Sequence, residues 1–201
     1  MTLVELVLAI GMFSFLMASV GSLILTSLRV QRTWGSAVAP FQSAEHALAR
    51  LAGDLQAAQP LFDVPFRGNV DEPGLEFARL GPVTDAEGLA TTDWLRIVYR
   101  FDHADEGVTL VREEFLWRAG KTGVEPLRHE RLARMANGQW MFGKVNTDKE
   151  LTWTLLWDGT TDGIPRLVKF DGTLPARGSR APVALSRIIR NPAGKLPEVP
   201  P

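Results

Sequence analysis

The stretch Met1–Leu28, MTLVELVLAIGMFSFLMASVGSLILTSL, divides this 201-residue chain into an apolar N-terminal segment and a globular remainder. Between Leu6 and Leu28 no side chain is ionisable, and Glu5 carries the one charge of the segment. A helix rises about 1.5 Å per residue, so this run spans roughly 35 Å, enough to cross a hydrocarbon core of about 30 Å. The sequence therefore predicts a membrane-spanning helix over residues 1–28.

Two other interpretations of this segment are a cleaved signal peptide and the buried core helix of a soluble protein. A signal peptide usually has a basic region followed by about 7–15 apolar residues. No Lys or Arg precedes the apolar run, and the run is longer than that. These features favour the membrane-spanning helix.

The composition excludes several classes of function. The chain has 22 basic and 23 acidic residues, a net charge of −1, and no cysteine. A nucleic-acid partner is not expected without a basic field, and disulfides, thiolate metal sites and a cysteine nucleophile are excluded. His46, His103 and His129 are scattered without metal-ligand spacing, and no known catalytic or nucleotide-binding motif occurs. We expect a protein that is not an enzyme and has no cofactor.

Residues 29–60 are predicted to continue the helix as an amphipathic segment. Apolar side chains recur there at spacings of three and four, the pattern of a helix with one buried face. The apolar positions are Phe41, Ala44, Leu48, Leu51, Leu55 and Ala58, and the polar positions off that stripe are Glu45, Arg50, Asp54 and Gln56. Pro40 is expected to kink or restart the helix because it lacks an N–H donor. Pro60 marks the expected end.

Residues 61–190 are predicted to form a β-rich body, and residues 191–201 an irregular proline-rich tail. Trp94–Asp102 and Val108–Arg118 are predicted to pair as an antiparallel hairpin, and the glycine-rich segment Asp158–Pro165 to connect another. Leu75–Arg79 is predicted to be a short strand between two loops, the second from Gly81 to Gly88. Further strand candidates are Val124–Arg131, Gln139–Gly143, Leu151–Trp157, Arg166–Phe170 and Pro182–Ile189. The predicted fold class is α+β, a long N-terminal helix packed on antiparallel sheet.

Two oxygen-rich segments are the candidates for a hard-cation site. Asp158 and Asp162 lie in DGTTDG, which could hold calcium, and Asp102, Asp105 and Glu106 form the other segment. DGTTDG lacks the alternating acidic positions and the terminal glutamate of an EF-hand. Asp and Gly are also the usual residues of turns, which is the alternative interpretation.

The first residues resemble the start of a mature type IV pilin or type II secretion pseudopilin. That family begins with an aromatic residue or Met, followed by Thr, Leu, an aliphatic residue and a glutamate at the fifth position, and Met1-Thr2-Leu3-Val4-Glu5 has this order. A carboxylate in a spanning helix is costly unless it is paired. The resemblance implies a pilin-like fold and an ion pair between Glu5 and the N-terminus of a neighbouring subunit. It also implies that prepilin peptidase removes a leader and that Met1 is the N-methylated N-terminus.

The body is similar to J-type minor pseudopilins in a weaker way. The segment ALARLAGDLQAA is similar to their L-x-R-L-x-x-D-L stretch, and the matching residues are Arg50, Leu51, Asp54 and Leu55. The resemblance implies a structural subunit at or near the tip of the type II secretion pseudopilus, acting in assembly initiation and protein export. The implied partners are the major pseudopilin and the I-type and K-type minor pseudopilins, with the H-type as a further candidate.

The resemblance also implies a location, the bacterial inner membrane with a single pass and the C-terminal body in the periplasm. Arg29 and Arg32, taken alone, would instead place the C-terminal side in the cytoplasm. Two alternative functions remain open. One is a minor pilin of a type IV pilus, for adhesion, motility or DNA uptake, and the other is a membrane-tethered binding or sensory domain.

Overall fold

A computed structural model describes residues 2–61, 63–70, 74–84, 88–104, 107–117, 125–145, 150–176 and 181–193, without the side chains of residues 32–34, 36 and 37. Met1, Asp105, Glu106 and the tail from residue 194 onward, all named in the sequence analysis, lie outside the described residues. The chain divides into two compact units, Met1–Pro40 and Phe41–Pro201.

The helix α1 extends over Leu3–Gln56, 54 residues. It continues through Pro40, so the predicted restart is wrong. A proline removes one donor from the helical ladder, and the hydrogen bonds on both sides of it can still form. The helix ends at Gln56, before the predicted end at residue 60, because Ala58 and Gln59 already pair with a strand of the sheet.

The described part of the second unit contains eleven strands and one further helix. In chain order these are β1 Ala58–Gln59, β2 Arg67–Gly68, β3 Gly74–Thr84, β4 Ala90–Ala104, β5 Gly107–Leu116, β6 Arg128–Met135, β7 Asn137–Val145, β8 Leu151–Thr154, β9 Trp157–Asp158, α2 Gly159–Asp162, β10 Leu167–Leu174 and β11 Val183–Arg190.

The strands form two antiparallel sheets. The larger has the order β6-β5-β4-β3-β2-β9, with β1 also paired to β3, and the smaller has the order β11-β10-β7-β8. The predicted hairpin is confirmed, since β4 and β5 pair from Leu95↔Leu116 to Ala104↔Gly107. Gly107 has a φ of 123°, which residues with a side chain rarely adopt, so glycine suits this turn. The predicted α+β class with antiparallel sheet is therefore observed.

The second predicted hairpin is wrong. β8 pairs with one edge of β7 and β10 with the other, so the strands on either side of Asp158–Pro165 are not partners. Instead, β9 pairs with β2 in the larger sheet, and α2 follows it. Asp and Gly favour helix caps as well as hairpin turns, so the sequence pattern could not separate the two.

One predicted loop is also partly strand. Gly81–Gly88 was expected to be irregular, but β3 continues through Gly81 to Thr84. This extension pairs with the first residues of β4, from Gly81↔Asp93 to Thr84↔Ala90. Pairing with a long neighbour therefore overrides the local preference of glycine and proline for a loop.

The hydrophobic core combines one face of α1 with side chains from both sheets. The buried helix positions are Ala44, Ala47, Leu48, Leu51 and Leu55, whereas Phe41 at the start of the predicted stripe is 45% exposed. Aromatic rings fill much of the rest, including Trp140 against Phe170 with ring centroids 4.9 Å apart. The amphipathic pattern thus corresponds to the helix face that packs on the sheets.

Candidate functional site

The N-terminal part of α1 is an exposed apolar surface. Leu3–Gln31 is long and apolar enough to cross a membrane. An 18-residue window within it has a mean hydropathy of 2.2, and none of that window is buried. Side chains such as Leu3, Phe15 and Leu23 are more than 70% exposed. An apolar surface of this size in water would be unfavourable, so a lipid or protein environment is needed to cover it.

Glu5 closes the first turn of this helix. The Thr2 backbone N–H donates to Glu5 Oε2 at 2.8 Å, and the Glu5 N–H lies 3.4 Å from Thr2 Oγ1. This is the reciprocal arrangement of a capping box, in which two otherwise unpaired N–H groups of a helix start find acceptors. Sequence analysis considered Glu5 only as an assembly residue. The signal for the cap was present in the T-x-x-E spacing from Thr2 to Glu5.

Two hydroxyl groups within the apolar segment are satisfied by the helix itself. Ser19 Oγ donates to the Phe15 carbonyl and Thr26 Oγ1 to the Ser22 carbonyl, each at 2.8 Å. Such bonds to the preceding turn remove the cost of an unpaired hydroxyl in hydrocarbon. These polar residues are therefore compatible with a spanning helix.

A buried ionic cluster joins the C-terminal end of α1 to the larger sheet. We call it the Asp54 cluster; its members are Asp54 from α1, Arg79 from β3, Tyr99 from β4, and Arg112 and Glu114 from β5. Asp54 Oδ2 accepts from Arg112 Nε at 2.6 Å and from the Tyr99 hydroxyl at 2.7 Å. Arg112 Nη1 donates to Glu114 Oε2 at 2.7 Å. Arg79 Nη1 lies 3.3 Å from Asp54 Oδ1.

The cluster is electrically balanced and largely shielded from water. Two guanidinium groups face two carboxylates, with Arg112 0% and Asp54 2% exposed. Burial raises the pKa of Tyr99, and the neighbouring Asp54 carboxylate raises it further. For Arg112, burial alone would lower the pKa, but the hydrogen bonds to Asp54 and Glu114 raise it, so the guanidinium stays charged.

Sequence analysis missed this cluster. Asp54 was placed among the polar positions off the apolar stripe, but it is buried. The placement was wrong because hydrogen-bond donors from three strands compensate its charge there. The cluster holds the helix on the sheet and offers no open site for a substrate, so it has a positioning role.

A second ionic network lies on the larger sheet and is more exposed. Arg100 Nη2 donates to Glu113 Oε1 at 3.0 Å, and His129 Nδ1 lies 3.1 Å from the same oxygen. The hydrogen bond from Arg100 lowers the pKa of Glu113 below its usual value, with His129 adding to the effect. All three histidines are exposed, and His129 has Glu113 as an acidic neighbour.

The two calcium candidates are engaged in other interactions. Asp158 Oδ1 accepts from the Thr160 N–H at 2.9 Å and from its hydroxyl at 2.7 Å, which caps α2 and lowers the pKa of Asp158. Asp162 Oδ1 lies 2.9 Å from Lys144 Nζ. Within the described ranges, no group of three His, Cys, Asp or Glu side chains could hold a metal ion. The segment thus acts as a helix start with an ion pair.

Comparison with known proteins adds no assignment. No family model matches this chain, and no curated protein matches it significantly. The function proposed below is therefore inferred from the residues and geometry described above.

Proposed function

We propose that this protein is a minor pseudopilin, a structural subunit at or near the tip of the type II secretion pseudopilus. One observation carries the proposal: an exposed apolar helix over Leu3–Gln31 with a single acidic residue, Glu5, in its first turn. The antiparallel α+β body that follows is compatible with a pilin-like subunit. In this proposal the helix spans the bacterial inner membrane and the body lies in the periplasm.

Assembly would replace lipid around the helix by the helices of other subunits. Close approach is favoured by small residues, and on this segment Gly11 and Ser14 are exposed and Gly21 is half-buried. The Glu5 carboxylate would pair with the N-terminal ammonium of the adjacent subunit, so that two charges costly in hydrocarbon neutralise each other. An ion pair of this kind fixes one axial register between neighbouring helices.

The capping box is compatible with that ion pair. Only Glu5 Oε2 accepts the Thr2 N–H, and an ionised carboxylate has about four acceptor positions on its two oxygens. Glu5 can therefore keep the helix start closed while it accepts an ammonium from another chain. Prepilin peptidase would generate Met1 as the N-terminus, and its methylation would retain the positive charge.

The proposed partners follow from the same resemblance. The body would contact I-type and K-type minor pseudopilins, with the H-type as a further candidate, and the complex would start assembly of the major pseudopilin for protein export. The competing function is that of a minor pilin in a type IV pilus, which uses the same glutamate. A membrane-tethered binding or sensory domain needs an anchor but no glutamate.

A substitution at Glu5 separates the two filament functions from a membrane-tethered domain. Glu5→Gln removes the charge but can keep the capping box, because Gln also serves at this position. We expect normal membrane insertion and a fall of about tenfold in filament incorporation and protein export, corresponding to about 1.4 kcal/mol of lost pairing. The measurements are membrane fractionation, pseudopilus content and the amount of exported protein.

Glu45→Gln is the matched control, since it makes the same chemical change on the same helix outside the apolar segment. We expect it to behave as the wild type. Thr2→Ala tests the cap separately, because it removes the Thr2 hydroxyl while leaving the Glu5 charge. Equal incorporation and export for Glu5→Gln and the wild type would contradict the ion-pair mechanism.

Capture of the full chain from native membranes, with mass spectrometry of bound proteins, distinguishes the assemblies. I-type and K-type pseudopilins would support the proposal. A major pilin with pilus assembly proteins would assign the protein to a type IV pilus. Neither set, under conditions that preserve both assemblies, would leave a tethered domain.

A further inference from the structure

A small notch lies between α1 and β6, the edge strand of the larger sheet. Its volume is about 240 Å³, and it is lined by His46, Ala49, Arg50, Arg128, Glu130 and Leu132. Leu132 is the extra residue of a bulge in β6, since Val111 pairs with Arg131 and Leu110 with Ala133. Bulges at sheet edges redirect side chains and end regular pairing. The notch is therefore a local feature of this edge, and its lining residues lie outside the apolar segment Leu3–Gln31.

Arg50 in this notch has an unused hydrogen-bond donor. Its Nε is buried and has no partner among the described residues. Arg79 and Arg112 also have one buried nitrogen each without a partner, but both of their guanidinium groups face the carboxylate of Asp54. Arg50 differs because no ion pair between described residues includes it. A buried donor without an acceptor costs free energy, which a bound ligand or water would offset. The notch thus contains a cation whose Nε lacks an acceptor among the described residues.

The charges of the notch favour a monoanion. Arg50 and Arg128 contribute two positive charges, and Glu130, whose Oε1 lies 3.4 Å from Arg128 Nη1, contributes one negative charge. One positive charge is left, which a carboxylate would neutralise, whereas a doubly charged phosphate would leave a net negative charge next to Glu130. The guanidinium fork also matches the two oxygens of a carboxylate. A water molecule takes about 30 Å³, so a notch of 240 Å³ has room for a carboxyl group.

We propose that this notch binds the carboxylate of an Asp or Glu side chain on another protein, with Arg50 and Arg128 as the donors. His46, Ala49 and Arg128 are exposed, so the notch is open to a side chain that approaches from the surface. The proposal stands on the notch alone and does not require that the neighbour be a pseudopilin. The same chemistry could come from a small free carboxylate, which the experiment distinguishes.

Zero-length cross-linking in native membranes tests the proposal with the full chain. Arg50→Lys keeps the positive charge and introduces an amine that a carbodiimide joins to a carboxylate in direct contact. We expect an amide between this position and an Asp or Glu of a second polypeptide, located by mass spectrometry. Adding Arg128→Gln should lower the yield about tenfold, because one charged donor to the carboxylate is lost.

Arg131→Lys is the control, since this exposed residue is on the same strand but does not line the notch. Its intermolecular yield should be low and insensitive to Arg128→Gln. Cross-links from Arg50→Lys only to Glu130 or Glu45 of the same chain, or a yield equal to that of the control, would overturn a protein partner.

Titration with acetate separates a small carboxylate from a protein side chain. In the purified full chain, the NMR signal of the Arg50 Nε–H should shift with acetate and less with phosphate. A shift with acetate but no intermolecular cross-link would overturn the protein source and leave a small-molecule site. No shift with either anion would mean that water alone satisfies Arg50, which overturns the site.

Discussion

Replacing Asp54 by Asn tests whether the Asp54 cluster holds the helix on the sheet. The change keeps the size of the side chain but removes the charge that faces Arg112 at 2.6 Å and Arg79 at 3.3 Å. Glu114 would then be the one carboxylate for two guanidinium groups, and Arg112 is 0% exposed. Breaking a buried ion pair by removing one partner costs about 3–5 kcal/mol. For a domain of this size, that lowers the melting temperature by roughly 6–20 °C.

Urea unfolding of the full chain in detergent, followed by tryptophan emission, measures this loss. Trp140 and Trp157 are buried in the body at 0% and 6% exposure, so their emission reports its unfolding. Glu45→Gln is the matched control on the same helix. Glu45 pairs with Arg187 at 3.0 Å, but both side chains are more than 40% exposed, so we expect a loss below about 1 kcal/mol.

Two results would refute this reasoning. The first is an unfolding free energy of Asp54→Asn within about 1 kcal/mol of that of Glu45→Gln, since an exposed pair is worth no more than this. The second concerns the double variant with Arg112→Met, which removes the unpaired cation and leaves Arg79 and Glu114 balanced. We expect it to recover part of the lost stability, and a purely additive further loss would contradict the electrostatic explanation.

Two further predictions concern pH and backbone space. Because Arg100 lowers the pKa of Glu113, the stability that this carboxylate contributes is present above the unfolded value of about 4.3 and is lost as the pH falls. The difference in urea midpoint between the wild type and Glu113→Gln should therefore shrink from about pH 7 to about pH 3, and a constant difference would contradict this. Gly53→Ala, on an exposed helix position with open space, should stabilise the body by about 1 kcal/mol. Gly68→Ala should destabilise it by about 1–3 kcal/mol, because the added methyl would overlap the Phe142 ring, and equal midpoints for the two glycine variants would refute the contrast.

The helix α1 was predictable because its signals are local. The uncharged run from Leu6 to Leu28 and the spacing of Leu48, Leu51 and Leu55 each depend on nearby residues, and both correspond to the observed surfaces. The β4–β5 hairpin is also local, since its two strands are joined by a short loop. Features of this kind need no knowledge of distant parts of the chain.

The pairing of β9 in the larger sheet and the Asp54 cluster needed long-range information. β9 pairs with β2 about 90 residues earlier, so no local pattern near Asp158 could indicate that partner. Arg112 and Glu114 share one face of β5 by alternation, but the sequence does not say that this face is the buried one. Only when Asp54 and Tyr99 are brought together does burial of these charges become favourable.

Glu5 was singled out by a different kind of signal. Glu5 stood out because a carboxylate at the start of an apolar helix needs a partner. Its contact with Thr2 was overlooked, although the T-x-x-E spacing is a known start signal for helices. Glu5 thus has two compatible interpretations, one as an assembly residue and one as part of the helix cap.

The position of the Asp54 cluster has a mechanical consequence for the body. Asp54 lies two residues before the end of α1, beyond the packed residues Ala44, Leu48 and Leu51. Traction along the axis of this part of the helix would load the apolar contacts and the ion pairs together, as shear. The contacts would then have to yield together, whereas peeling would break them one after another. The load would pass from Asp54 into β3, β4 and β5 at once, which makes the sheet the element that resists it.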